Sequence, residues 1–220
     1  MKKEKNVILD FDSTIVQHET IEILAEFSLQ NNAKKNDILG EIKNMTSLAM
    51  SGKISFSEAL SKRVSLLEAH KKHINKTIQF LRENISLTFK ENLSFFNEIN
   101  NNCFVISGGF KEIIIPVLEN FNLPNNNIYA NSFIYDEQNI ISIDKNNPLS
   151  KDGGKNLVAQ NIKGYNIIIG DGYTDYEVKK DGNADLFIQY TENVNRIELN
   201  KNADYICSDF SQIIKILRNV

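Results

Sequence analysis

Four short apolar runs, rich in Ile, Val and Phe, end abruptly in polar residues or glycine: NVILDFD at 6–12, CFVISGG at 103–109, YNIIIGDG at 165–172 and DLFIQY at 185–190. Their hydrophobicity is continuous rather than alternating, which predicts strands buried on both faces of a parallel sheet. Segments with helical spacing lie between them, over 110–121 and 154–162, and Tyr205-Ile206 followed by 211–217 repeats the order. Strands and helices alternating in this way predict an α/β fold, a Rossmann-like doubly wound parallel sheet.

The stretch from about 15 to 85 is far longer than an ordinary crossover and has helical periodicity almost throughout. Ile38, Ile42, Met45 and Ala49 make one apolar stripe, and Phe56, Ala59, Leu60, Val64 and Leu67 make another. The expected organisation is an α/β catalytic core formed by 1–14 and 86–220, with a helical-bundle cap at 15–85 inserted after the first strand. Such a cap would sit over the carboxyl edge of the sheet, where open α/β folds bind ligands. Tyr129 to Asp144 reads as a hairpin with Glu137-Gln138-Asn139 at its turn.

The chain of 220 residues carries a net charge of -3, with its lysines scattered. Nucleic acid and anionic membranes both select for clustered Lys and Arg, so neither is the expected partner. The apolar run after the basic start is too short for a signal peptide, and no stretch approaches a membrane span, so the expected compartment is the cytoplasm. A monomer or homodimer is expected. Cys103 and Cys207 each sit in a strand-like run and are expected as reduced, buried thiols without a disulfide or zinc.

The candidate chemistry lies at the ends of the predicted strands. The first delivers Asp10 and Asp12, followed by Ser13-Thr14; the second ends in Ser107-Gly108-Gly109; the third leads to Asp171, with Asp175 four residues on. Each string alone is also an ordinary turn or helix cap. Together they converge on one crevice, because the carboxyl ends of parallel strands share an edge. Four carboxylates there cannot all stay ionised beside a phosphate without a compensating cation. A hard, oxygen-seeking ion such as Mg²⁺ fits, and Lys155, after Gly153-Gly154, adds positive charge. Lys151, four residues earlier, is the alternative lysine.

The motifs DFDST, SGGF, GGK and GDGYTD, in this order, resemble those of the haloacid dehalogenase superfamily and, within it, its phosphoserine phosphatase branch. The resemblance covers essentially the whole chain. It implies a Mg²⁺-dependent hydrolase of a small phosphate monoester, phosphoserine, at the last step of serine biosynthesis. Asp10 would attack phosphorus to form an aspartyl phosphate, and Asp12 would serve as general acid and then general base. Mg²⁺ would be held by Asp10, Asp171 and the backbone carbonyl of Asp12, with Asp175 orienting that shell. Ser107, Gly108, Lys155 and Thr174 would bind the phosphoryl oxygens. The second Asp at position 12 distinguishes the chain from the dehalogenase branch.

The insertion MSGKISFSEALSKRVSLL looks like the cap helices of that branch, with Met50 and Phe56 as a lid. Arg63 falls within the second apolar stripe, where a guanidinium suits a substrate carboxylate, and Glu19 would accept the ammonium. Their ordinary alternatives are an Arg63 paired to a cap carboxylate and a Glu19 favouring a helix N-terminus. A related phosphatase or phosphotransferase for another small metabolite, or a phospho-accepting receiver module, are the competing functions. Asp10 lies so near the start that an amino-acid-sensing domain before it is not expected.

Overall fold

The computed structural model describes residues 4–220; Met1, Lys2 and Lys3 of the expected core segment 1–14 lie outside the described residues. In chain order the elements are β1 (Lys5–Leu9), four helices α1 (Thr20–Ser28), α2 (Lys35–Met50), α3 (Phe56–Ser65) and α4 (Lys71–Glu83), then α5 (Leu87–Glu91) and α6 (Leu93–Glu98). They continue as β2 (Cys103–Phe110), α7 (Lys111–Leu118), β3 (Ile128–Asn131), β4 (Phe133–Tyr135), β5 (Ile141–Ile143) and α8 (Gly154–Ala159). The last are β6 (Tyr165–Gly170), α9 (Tyr173–Lys180), β7 (Leu186–Tyr190), β8 (Tyr205–Cys207) and α10 (Phe210–Asn219).

Six strands form one parallel sheet in the order β3-β2-β1-β6-β7-β8. The strand order reverses at β1, so the crevice of this sheet opens at the carboxyl end of that strand. Register does the rest: Leu9 pairs with Val105 on one side and Ile169 on the other. Asp10 therefore comes level with Ile106 and Gly170, with Ser107 and Asp171 one position further along the same edge. The central strands are buried on both faces, with Leu9, Val105 and Ile169 in one apolar cluster and Ile8, Ile106 and Ile168 in the other. This explains their unbroken hydrophobicity.

Helices α1 to α4 lie between Val16 and Ile85, which form an antiparallel bridge where the chain leaves and re-enters the sheet domain. Two expectations are corrected. Ile128–Asn131 is not part of a hairpin but the edge strand of the main sheet, and the hairpin is the shorter pair β4–β5, turning through Asp136–Asn139. The buried face of α2 runs through Leu39, Ile42, Thr46, Ala49 and Met50, with Ile38 and Met45 flanking it. His70 and His73 are half-buried at the start of α4, and His70 bridges Ile140 of the hairpin. That bridge and the Ile141 N–H to Ala69 carbonyl bond, 3.0 Å, tie hairpin to insertion.

Cys103 and Cys207 are free and buried, and burial pushes their thiols up to about 12 and about 11. Among the described residues no helix is long and apolar enough to cross a membrane.

Candidate active site

At the end of β1 the backbone turns sharply. Asp10 is buried, its Oδ1 accepts the Phe11 N–H at 2.7 Å, and Ser13 takes a positive φ of 55° to close the turn. The turn brings Asp12 back over the sheet edge, where Oδ1 accepts the Thr20 backbone N–H at 3.1 Å and the Thr20 hydroxyl. The first turn of α1 thus positions the second carboxylate.

Lys155, at the start of α8, is the lysine of this crevice; Lys151 is exposed. Lys155 Nζ lies 2.9 Å from Asp10 Oδ1 and 2.7 Å from Asp175 Oδ1. Burial alone would lower its pKa, but Asp10 and Asp175 outweigh it and hold the ammonium above its usual range. Asp175 is also anchored by the Gly172 N–H, 3.1 Å from Oδ2. Position 170 must be glycine for this, because a Cβ there would fall 2.3 Å from the Asp175 carboxyl carbon. Ser107, buried within β2, accepts the Gly109 N–H at 2.9 Å, which fixes its hydroxyl beside the glycine backbone.

The insertion closes the top. The Phe56 ring packs so tightly over Gly108 that a Cβ there would meet Phe56 Cζ at 2.5 Å, and Met50 Sδ lies 3.0 Å from the corresponding point at Gly172. Asp152 accepts hydrogen bonds from the hydroxyls of Ser55 and Ser57 and from the Ser57 N–H, 2.8–3.1 Å, latching α3 to the loop before Lys155. Arg63 is only 2% exposed, donating to the Ala59 carbonyl and the Thr46 hydroxyl, and no carboxylate pairs with it among the described residues. The alternative of a cap carboxylate partner is thereby removed. Glu19 does sit at the N-terminal boundary of α1, but its side chain makes no cap bond and accepts instead from the Ser13 hydroxyl at 2.8 Å.

One crevice collects these groups. It is lined by Asp10, Asp12, Glu19, Met50, Phe56, Arg63, Ser107, Gly108, Lys155, Asp171 and Thr174, with Ile21. Asp175 is outside the lining, beneath Lys155. The Thr174 hydroxyl is buried without a partner among the described residues, so it can meet a ligand oxygen.

Arg196 escaped the sequence reading. It stands on the loop after β7, with Nε and Nη2 each 2.8 Å from Asp171 Oδ2 and Nη2 3.5 Å from Glu19 Oε1. Neither helical spacing nor a local motif marks this loop position.

One oxygen each from Asp10, Asp171 and Asp175 falls within 4.8 Å of the others, and all three residues are buried. Burial and neighbouring carboxylates push Asp171 up to about 8 despite Arg196, and Asp175 up to about 7 despite Lys155. Asp12 is raised as well, by burial and by Glu19 and Asp10. Such a set of buried oxygen donors, costly to ionise alone, fits a hard divalent cation.

Residues 7–178 match the model of the haloacid dehalogenase-like hydrolases. The chain belongs to this family. Among haloacid dehalogenase-like relatives, the chloroplastic phosphoserine phosphatase of Arabidopsis thaliana is 32% identical, covering 96% of this chain and 71% of its own. Phosphoserine phosphatase from Bos taurus is 30% identical over 96% of this chain and 92% of its own. Among solved structures, a phosphoserine phosphohydrolase-like protein from Francisella tularensis superposes with a TM-score of 0.88 at 29% identity, covering 97% of this chain and 99% of that one. A substrate-bound phosphoserine phosphatase complex gives 0.74 at 26% identity, with 98% and 99% covered. A receiver-type module does not account for these matches, which run through the helical insertion.

Proposed function

We propose that this haloacid dehalogenase-like hydrolase is a Mg²⁺-dependent phosphoserine phosphatase, with 15–85 acting as its cap and the remainder as its catalytic core. The observation that carries the substrate is Arg63: a buried guanidinium without an ion partner among the described residues, lining the same crevice as Glu19 and Ser107. Phosphoserine offers a carboxylate to the first and an ammonium to the second.

Ser107, the Gly108 N–H, Lys155 and Thr174 hold the phosphoryl oxygens. An Asp10 carboxylate oxygen attacks phosphorus; the P–O bond to serine breaks, and its oxygen takes the proton of Asp12. Burial, Glu19 and Asp10 raise the Asp12 pKa, which favours the protonated carboxyl that this step needs. Now ionised, Asp12 removes a proton from a water that attacks the aspartyl phosphate, releasing phosphate and restoring Asp10. Asp10, Asp171 and the Asp12 carbonyl would hold Mg²⁺, with Asp175 behind them, and the ion would supply positive charge as negative charge moves across the phosphoryl group.

The test is phosphate release from a panel of phosphorylated metabolites with and without Mg²⁺. Phosphoserine should lead the panel and chelation should silence it reversibly. Equal turnover of phosphoserine and an aryl phosphate would remove the substrate assignment, and full activity in excess chelator would remove the metal.

A further inference from the structure

Asp171 is the carboxylate of the acidic cluster that a guanidinium already holds from the side. Both Nε and Nη2 of Arg196 lie 2.8 Å from the same atom, Asp171 Oδ2. The other oxygen, Oδ1, takes no hydrogen bond among the described residues, although Asp171 lines the crevice. Arg196 is itself pinned. Its Nη2 faces Glu19 Oε1 at 3.5 Å, and the Ser13 hydroxyl fixes that same oxygen from 2.8 Å. With its side chain 10% exposed, the guanidinium has little room to swing away.

A carboxylate with one oxygen committed has one left to offer a cation. Mg²⁺ demands octahedral geometry with short bonds and takes carboxylates singly, whereas Ca²⁺ accepts six to eight oxygens and often closes on both oxygens of one carboxylate. We infer that Arg196 is a positioning residue that keeps Asp171 a one-oxygen ligand and so biases the site toward Mg²⁺ and against Ca²⁺. The inference rests on the proposed reading only in that a divalent ion binds this cluster; it is independent of which phosphate ester is cleaved.

Calorimetric titration of the metal-free protein with Mg²⁺ alone and with Ca²⁺ alone reads binding without turnover. Removing a positive charge strengthens attraction for both ions alike, so the ratio of their dissociation constants isolates geometry. Arg196→Gln should move that ratio roughly tenfold toward Ca²⁺, the scale on which groups behind metal ligands act. Arg196→Lys keeps the charge but offers a point contact in place of a planar fork, and should move the ratio the same way by less. If both variants still bind both ions with the parent's ratio, the inference is overturned. Failure of the parent protein to bind Mg²⁺ at all would be a different result, overturning the metal reading itself and this inference with it.

Discussion

Thr20 holds Asp12 through two donors, its backbone N–H 3.1 Å from Oδ1 and its hydroxyl on the same oxygen. Both bonds favour the ionised carboxylate, while burial and the negative charges of Glu19 and Asp10 favour the protonated one, and the latter prevail. Asp12 must hold a proton for the first step and release it before the second. Thr20→Val removes the hydroxyl donor and should shift the ascending limb of the kcat–pH profile to higher pH. An unmoved profile would show that Thr20 does not tune Asp12.

Asp10→Asn should abolish turnover while leaving the fold intact, because an amide fills the same space but cannot attack phosphorus. Asp12→Asn should cut kcat by about 10²–10⁴-fold, the usual contribution of a general acid–base group. Activity of Asp12→Asn within a few-fold of the parent would confine Asp12 to its backbone carbonyl's place at the metal.

Stability without metal should depend on pH in an unusual direction. Asp171 and Asp175 titrate at about 8 and about 7 in the folded chain, above the ordinary carboxylate value near 4 in the unfolded one. The folded state therefore binds more protons across this window, so the stabilisation is complete below about pH 4 and is lost as pH rises towards 8. Lys155, held above its usual range, stays protonated throughout. The melting temperature of the chelated protein should fall between pH 5 and 8, and Mg²⁺ should restore more of it at the upper end, where fewer protons compete. A flat profile without metal would count against the buried acidic cluster as described.

Arg63→Ala should lower kcat/KM for phosphoserine by roughly ten- to a hundred-fold, the equivalent of about 1.5–3 kcal/mol for a charged hydrogen bond. For phosphoethanolamine, which lacks the carboxylate, the loss should be small. Glu19→Ala should erode the preference for phosphoserine over phospholactate, which lacks the ammonium. Parallel losses on all three esters would mean that these side chains shape the crevice without reading the substrate.

The sheet and its acidic edge were legible because their signals are local. A strand buried on both faces must be apolar residue after residue, and where the apolar run stops the chain has reached the edge. Asp10, Ser107 and Asp171 follow from those stops alone. The helical insertion was legible for a similar reason, since 3.6-residue periodicity fills it, yet the stripe drawn on α2 was off by part of a turn. Thr46 is polar and could not be read as core, although its hydroxyl is buried against Arg63. Ile128–Asn131 was misplaced because four residues between turns look alike whether they pair with a hairpin partner or with β2.

By itself, then, the chain's pattern determined which residues stand at the ends of strands and which helices cover them, because continuous hydrophobicity and helical spacing are properties of neighbouring residues. Folding alone decided the pairings across long sequence separations. Lys155 rather than Lys151 reaches Asp10, 145 positions away, because α8 begins beside the end of β1 and its first turn points inward. Arg196 meets Asp171 and Glu19 only because β6 and β7 are adjacent and the loop after β7 folds back over their ends. A salt bridge between distant segments leaves no periodic trace in either, so its existence depends on where the sheet brings their backbones.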